Sequence, residues 1–304
     1  MGDKLKGKVA IVTGSGGGIG RGEAIAIAAE GAKVVVNDVS PAAPGATERP
    51  ADKVVAEIKA KGGEAVANYD SVATPEGGEN IIKTALNAFG KLDILVNNAG
   101  ILRDKMVFNM TNEEWDAVIK VHLYGHFYTS RAACVLFRQQ RSGRIINTSS
   151  ISGLGNRGQS NYAAAKEGIV GFTRTLALEM GKYGVTVNAI RPNAGTQMTM
   201  SDDMKQAAER SGNTSLVKYY ESLKPEDIAP LVIWLASDAA ANVNGRNFFI
   251  QTGRIALFSE PVQEKVILKQ GAFTVDEVFA AMPTTLAQGL KNPAPKEAEA
   301  PKPQ

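Results

Sequence analysis

The 304-residue sequence predicts an α/β fold: a doubly wound parallel sheet in a single domain with a C-terminal extension. Three observations lead there. Seven short apolar runs alternate with longer helical patterns, most of them continuously apolar rather than alternating, and no interior linker of biased composition divides the chain. A strand that is apolar on both faces has to be covered on both, the condition met by parallel strands joined through crossover helices.

The first strand is Val9–Val12, followed by a glycine-rich turn and a helical pattern over Ala24–Glu30 that Gly31 closes. Val34–Val36 is the second strand. The loop Ser40–Pro50, with prolines at 41, 44 and 50, separates it from a helix over Ala51–Ala60. Ala65–Ala67 and Ile94–Val96 are the third and fourth strands, with a helix over Gly78–Phe89 between them. Thr111-Asn112-Glu113-Glu114 is a capping box that opens one long helix, Glu113–Phe137. Strands at Ile145–Ile146, Val185–Ile190 and Phe248–Ile250, with helices over Gly168–Met180 and Ile228–Ala236, complete the pattern. The resulting domain reading is a sheet domain at 1–254, an extension at 255–292 packed on the domain or at an oligomer interface, and a disordered Pro/Lys/Glu/Ala tail at 293–304.

Composition excludes several classes of function. Thirty-four basic against 31 acidic residues give a net charge of +3, too balanced to argue for nucleic acid. His122 and His126 have no cysteine or carboxylate cluster around them, so no metal site is expected. Cys134, the single cysteine, excludes an internal disulfide and sits in an apolar helical stretch where burial is expected; Trp234 is likewise expected in the core. The N-terminus is short and charged with no apolar run behind it, which predicts a cytoplasmic protein without a membrane span.

The chemistry lies in three places. Thr13-Gly14-Ser15-Gly16-Gly17-Gly18-Ile19-Gly20 directly follows the first strand and precedes a helix. Glycines there let the backbone turn sharply and approach a pyrophosphate, whose charge is favoured at a helix N-terminus; this is the mark of a Rossmann-type dinucleotide fold, and Gly14, Gly18, Ile19 and Gly20 are its candidate contacts. Asp38 ends the second strand, twenty residues beyond Gly18. A carboxylate at that point accepts hydrogen bonds from ribose hydroxyls and repels a 2′-phosphate, which selects NAD over NADP. Asn97, at the end of the fourth strand, either contacts the cofactor or ties strand ends together. Finally, Tyr162 and Lys166 stand four residues apart, on one face if the segment is helical. A phenol with a reference pKa of about 10 becomes a useful acid/base once an adjacent ammonium lowers it.

Together, Thr13–Gly20, Asn97–Gly100, Ser149/Ser150 and Tyr162-x-x-x-Lys166 resemble the short-chain dehydrogenase/reductase family. Within it, the stretches Ala51–Val55, Ala65–Val72, Asn97–Asp104, Arg191–Thr199, Leu223–Leu235 and Phe273–Ala281 are similar to the (3R)-hydroxyacyl-CoA dehydrogenase domain of peroxisomal multifunctional enzymes. The resemblance implies Tyr162 as general acid/base, Lys166 lowering its pKa and binding the nicotinamide ribose, and a serine steadying the substrate oxygen. Read forward from the strand that serine is Ser150; read back from Tyr162 it is Ser149. Ser150 is preferred, because loops absorb deletions more readily than strand ends. His122 stands where many members carry a catalytic asparagine. Asp70 and Ser71 correspond to positions around the adenine, and Thr196 to a contact with the nicotinamide carboxamide; Met198 and Met200 lie in the corresponding substrate loop. The implied reaction is NAD-dependent oxidation of a (3R)-3-hydroxyacyl-CoA by a homodimer or homotetramer, with no nucleic-acid or membrane partner. Alternatives are a dehydrogenase of a free hydroxysteroid or cyclic alcohol, a 3-oxoacyl carrier-protein reductase, and a non-catalytic dinucleotide sensor.

Overall fold

The computed structural model describes residues 2–196, 199–200 and 214–294; Met198 and the tail beyond Ala294 lie outside them. Eight strands form one sheet: β1 (Val9–Thr13), β2 (Lys33–Asn37), β3 (Glu64–Asn68), β4 (Ile94–Asn97), β5 (Gly143–Thr148), β6 (Val185–Asn193), β7 (Asn247–Gln251) and β8 (Arg254–Leu257). Their spatial order is β3-β2-β1-β4-β5-β6-β7-β8. The first seven run parallel, and β8 pairs antiparallel with β7. Strand order therefore reverses between β1 and β4, and the crevice at that switch point is where such sheets bind ligands.

The side-chain alternation of each strand feeds two separate cores. Ala10, Val12, Val34 and Val36 face α1 (Gly18–Ala29), α2 (Pro50–Ala60) and the helix Ala229–Ala236. Val9, Ile11, Val35, Leu95, Ile145 and Val187 face α3 (Pro75–Phe89), α5 (Gly125–Gln140) and α6 (Ser160–Gly181). The central strands are dry on both faces, which is why most of the sequence runs are continuously apolar. The helix Ser215–Ser222 is α7, so Ala229–Ala236 is α8.

Several elements depart from the sequence expectation. The long helix expected over Glu113–Phe137 is α4 (Asn112–Ile119), a five-residue π-helical segment Lys120–Tyr124, and then α5. Single π turns inside α-helices are frequent at functional sites, and His122 sits in this one. α6 starts eight residues before the expected helix and so includes Tyr162 and Lys166. Trp234 is 41% exposed rather than core, its ring edge-on to Phe248. Cys134 is half-buried, and burial pushes its thiol up to about 12.

The chain divides after Phe258 into two compact units. Residue 254, the expected boundary, is the start of β8, and that strand lies within the first unit. The second unit carries α9 (Val275–Ala281), opened by a capping box in which Thr274 and Glu277 bond each other's backbone N–H groups. Among the described residues no helix is long and apolar enough to cross a membrane.

Candidate active site

At the switch point the ends of β1 and β4 are laced together. Thr13 Oγ1 accepts from the backbone N–H of Asn98 and Ala99 at 3.0 and 3.1 Å, and Asn98 Nδ2 donates back to Thr13 O and Gly14 O at 2.9 and 3.1 Å. The lacing leaves no room for side chains in the turn. Gly14 has φ +63°, and a Cβ there would lie 2.7 Å from Ala99 Cα; one on Gly20 would lie 2.4 Å from Asn98 Nδ2. Gly17, by contrast, has nothing within 4 Å of a built Cβ, and Gly18 has only Thr196, at 3.6 Å. A tight floor and an open outer face, ending at the uncapped start of α1, make a cradle that suits a pyrophosphate. Ile19 is packed against the core beneath it. Asp38 lies beside the cradle, its Oδ2 accepting from Gly16 N at 2.9 Å and its Oδ1 from Ser40 N at 2.8 Å. The donor set fits a dinucleotide.

A second cluster lies past the ends of β4 and β5. Tyr162 and Lys166 share one face of α6, with Lys166 Nζ 5.5 Å from the Tyr162 ring centre and donating to Thr148 O at 2.6 Å. Ser150 neighbours the Tyr162 hydroxyl and acts to lower its pKa. The His122 ring stands edge-on to the Tyr162 ring, centres 5.1 Å apart. It also fills the space over Gly100, where a Cβ would lie 2.4 Å from His122 Cε1.

The sequence matches the short chain dehydrogenase family over residues 8–207. The protein is a short-chain dehydrogenase/reductase. It is therefore an oxidoreductase of a family that typically uses NAD or NADP. It is 43% identical to a hydroxyacyl-CoA dehydrogenase of Mycobacterium tuberculosis over 274 residues, 86% of this chain and 82% of that protein. It is 46% identical to the mouse peroxisomal multifunctional enzyme type 2 over 258 residues, 83% of this chain but 32% of that longer protein, so it spans about a third of that relative's length. The crystal structure of a short chain dehydrogenase from Mycobacterium avium superposes with a TM-score of 0.82 at 44% identity, covering 93% of this chain and 96% of the other.

The geometry of this dehydrogenase separates the two candidate serines. Ser149 is buried and its hydroxyl donates to Lys166 O at 2.7 Å, so it ties β5 to α6. Ser150 caps the short helix Ile151–Leu154, accepting from Ser152 N at 3.1 Å, and it is the serine that meets Tyr162.

Electrostatics reverse one expectation. Burial pushes Tyr162 up to about 12, with Asp104 adding to the rise and the Ser150 hydrogen bond working against it. Burial also pulls Lys166 down to about 7. In the chain by itself the lysine therefore does not lower the phenol. Its amine is directed at the Thr148 carbonyl, and burial dominates the phenol. His122 is held well below its usual value by burial and by Lys166, so it is neutral at physiological pH. Its Nε2 lies 3.0 Å from Ile101 N and 2.8 Å from Ile101 O, which anchors the loop after β4 to the π-helical segment.

Asn97 takes the second of its two readings, tying strand ends together. Its buried Nδ2 donates to Ser130 Oγ and Asn147 Oδ1, both at 3.0 Å, and its Oδ1 accepts from Thr129 Oγ1 at 2.7 Å. Every polar atom of the side chain is used in joining β4 to β5 and α5, which leaves none for a cofactor. The neighbouring Asn98, which shapes the glycine turn, is the residue the sequence reading missed. Asp70 lies two residues past β3, its carboxylate held by Asn68 Nδ2 at 2.7 Å and Asn80 Nδ2 at 3.2 Å. Ser71 Oγ accepts from Ala73 N at 3.2 Å. Thr196 lies over Gly18, its own N–H donating to Thr199 Oγ1 at 2.8 Å.

Proposed function

We propose that this dehydrogenase catalyses the reversible NAD-linked oxidation of a (3R)-3-hydroxyacyl-CoA to the 3-oxoacyl-CoA. The observation that carries the reading is the meeting of Tyr162, Ser150 and Lys166 beside the glycine cradle. Tyr162 exchanges the proton of the substrate oxygen. Ser150 donates to that oxygen as its charge develops, a preorganised contact worth roughly 3 kcal/mol in comparable sites. Lys166 anchors α6 to the end of β5 through Thr148 O and presents its ammonium beside the ring. When bound, the nicotinamide accepts or returns the hydride.

The preference for NAD rests on Asp38. Two backbone N–H groups hold its carboxylate as a fixed negative charge beside Gly16. The nearby Arg49 donates to Val39 O at 3.1 Å and Ser40 O at 3.2 Å and stacks on Tyr69, so its guanidinium is already engaged rather than waiting for a 2′-phosphate. The thioester class is supported by the hydroxyacyl-CoA dehydrogenase relative that aligns along most of this chain.

The test is NAD-dependent turnover of a panel pairing each 3-hydroxyacyl-CoA with its free acid and with free steroid and cyclic alcohols. Selective turnover of the (3R)-thioesters is expected. Turnover of the free alcohols alone would overturn the substrate class while leaving the Tyr162 chemistry in place.

A further inference from the structure

One buried charge in the sheet domain has no place in the chemistry above. Arg191 is 1% exposed, on a stretch of β6 whose buried neighbours Val187, Ala189 and Ile190 are apolar. A guanidinium in such a place is strongly unfavourable unless acceptors are aimed at it. Two are. Nη1 donates to Ser150 O, and Nη2 pairs with Glu167 Oε2 at 2.7 Å. The guanidinium also stacks over Phe258, 5.1 Å from the ring centre.

We propose that Arg191, paired with Glu167, is the positioning residue that fixes Ser150 against Tyr162. The proposal rests on the reading of Ser150 and Tyr162 as the proton-handling pair. Glu167 follows Lys166 directly on α6, so one ion pair clamps the serine turn to the helix that carries both Tyr162 and Lys166. The clamp is tight. A Cβ on Gly153 would lie 2.8 Å from Glu167 Oε2 and 2.9 Å from Arg191 Nη1, so the turn rests directly on the pair. Ser150 O accepts from Gly153 N at 3.1 Å as well as from Arg191, and Ser150 Oγ accepts from Ser152 N. These bonds set the peptide plane of Ser150 and therefore the direction of its hydroxyl. An apolar residue at position 191 could fill the volume but could not hold that carbonyl. Arg191 also lies on a different strand from the glycine cradle, so it governs the proton-handling step rather than dinucleotide binding.

The test is a double-mutant cycle between Arg191→Met and Ser150→Ala, read in kcat, in KM for NAD and in the pH profile of kcat/KM, with melting temperature as the control for folding. Arg191→Met is expected to lower kcat about tenfold to hundredfold, the range for a lost hydrogen bond to a charged group. KM for NAD stays put. The rise of kcat/KM for oxidation with pH moves to higher pH, because Ser150 no longer lowers the Tyr162 phenol. In the Ser150→Ala background the same substitution adds nothing. Arg191→Lys, which retains the charge but reaches one acceptor instead of two, falls between wild type and Met; it is the deciding variant if Met at 191 does not fold. If the two losses multiply, or if the pH profile does not move, Arg191 acts elsewhere and the proposal is wrong although the site reading stands. If Ser150→Ala itself leaves turnover unchanged, the site reading and the proposal fail together.

Discussion

Glu23 offers a prediction whose size can be worked out from its surroundings. It lies on α1 just beyond the glycine cradle, fully buried, and neither carboxylate oxygen has a hydrogen-bond partner among the described residues. Burial raises it from 4.5 to about 8. In the unfolded chain the group ionises near its ordinary value, whereas in the folded chain it keeps its proton until about pH 8. Stability on its account is therefore full below the ordinary value, falls as pH rises between the two, and is flat above. Between about pH 5.5 and about pH 7.5 the folded state loses roughly 2–3 kcal/mol to this one group. Glu23→Gln removes the titration. Urea unfolding of both proteins at the two pH values, followed by fluorescence of Trp115 and Trp234, should show the variant gaining roughly 2–3 kcal/mol on wild type as pH rises. Parallel stability curves would refute the reasoning, since they would mean that Glu23 ionises in the folded chain as it does in the unfolded one.

Three further outcomes are expected. Gly14→Ala places a Cβ against the Ala99 backbone at a positive φ, so it should destabilise the fold by about 1–3 kcal/mol and weaken NADH binding, both measurable by melting with and without NADH. Asp38→Ser removes the fixed charge at the cofactor's ribose end, and the ratio of kcat/KM for NAD to that for NADP should fall at least about tenfold, a loss near 1.4 kcal/mol of discrimination; an unchanged ratio would clear Asp38 of that role. With Tyr162 protonated below about 12, alcohol oxidation, which needs the phenolate, should accelerate with pH, while ketone reduction, which uses the phenol, should stay flat through neutrality. Profiles of the same slope in both directions would contradict the assignment of Tyr162.

Much of this architecture was legible in the sequence because one physical pattern governs it. A strand dry on both faces tends to be continuously apolar, and β1, β2 and β4 carry that pattern most plainly. The eighth does not. Arg254-Ile255-Ala256-Leu257 is a half-exposed edge strand, with no second core to impose a run of apolar residues. The glycine turn and the Tyr162/Lys166 spacing were readable because backbone geometry and helical pitch act locally. What escaped depends on neighbours distant in sequence. Asn97 and Asn98 are the same residue type side by side, and only burial gives the first to the sheet and the second to the glycine turn. Ser149 and Ser150 differ in that one faces α6 and the other faces Tyr162. The π-helical segment at His122 accommodates a ring wedged between Gly100 and Tyr162, which no helical periodicity encodes. Arg191 reads as part of a loop motif in sequence, and its contacts with Ser150 and Glu167 emerge only once β6 lies beside the serine turn.

The central claim is that Tyr162 moves the proton of the substrate oxygen. Its most direct test is kcat/KM for a (3R)-3-hydroxyacyl-CoA with NAD, measured for wild type and Tyr162→Phe, with NADH binding checked in both. The account predicts a loss of about a hundredfold to ten-thousandfold with cofactor binding retained. Undiminished turnover by the phenylalanine variant would contradict it.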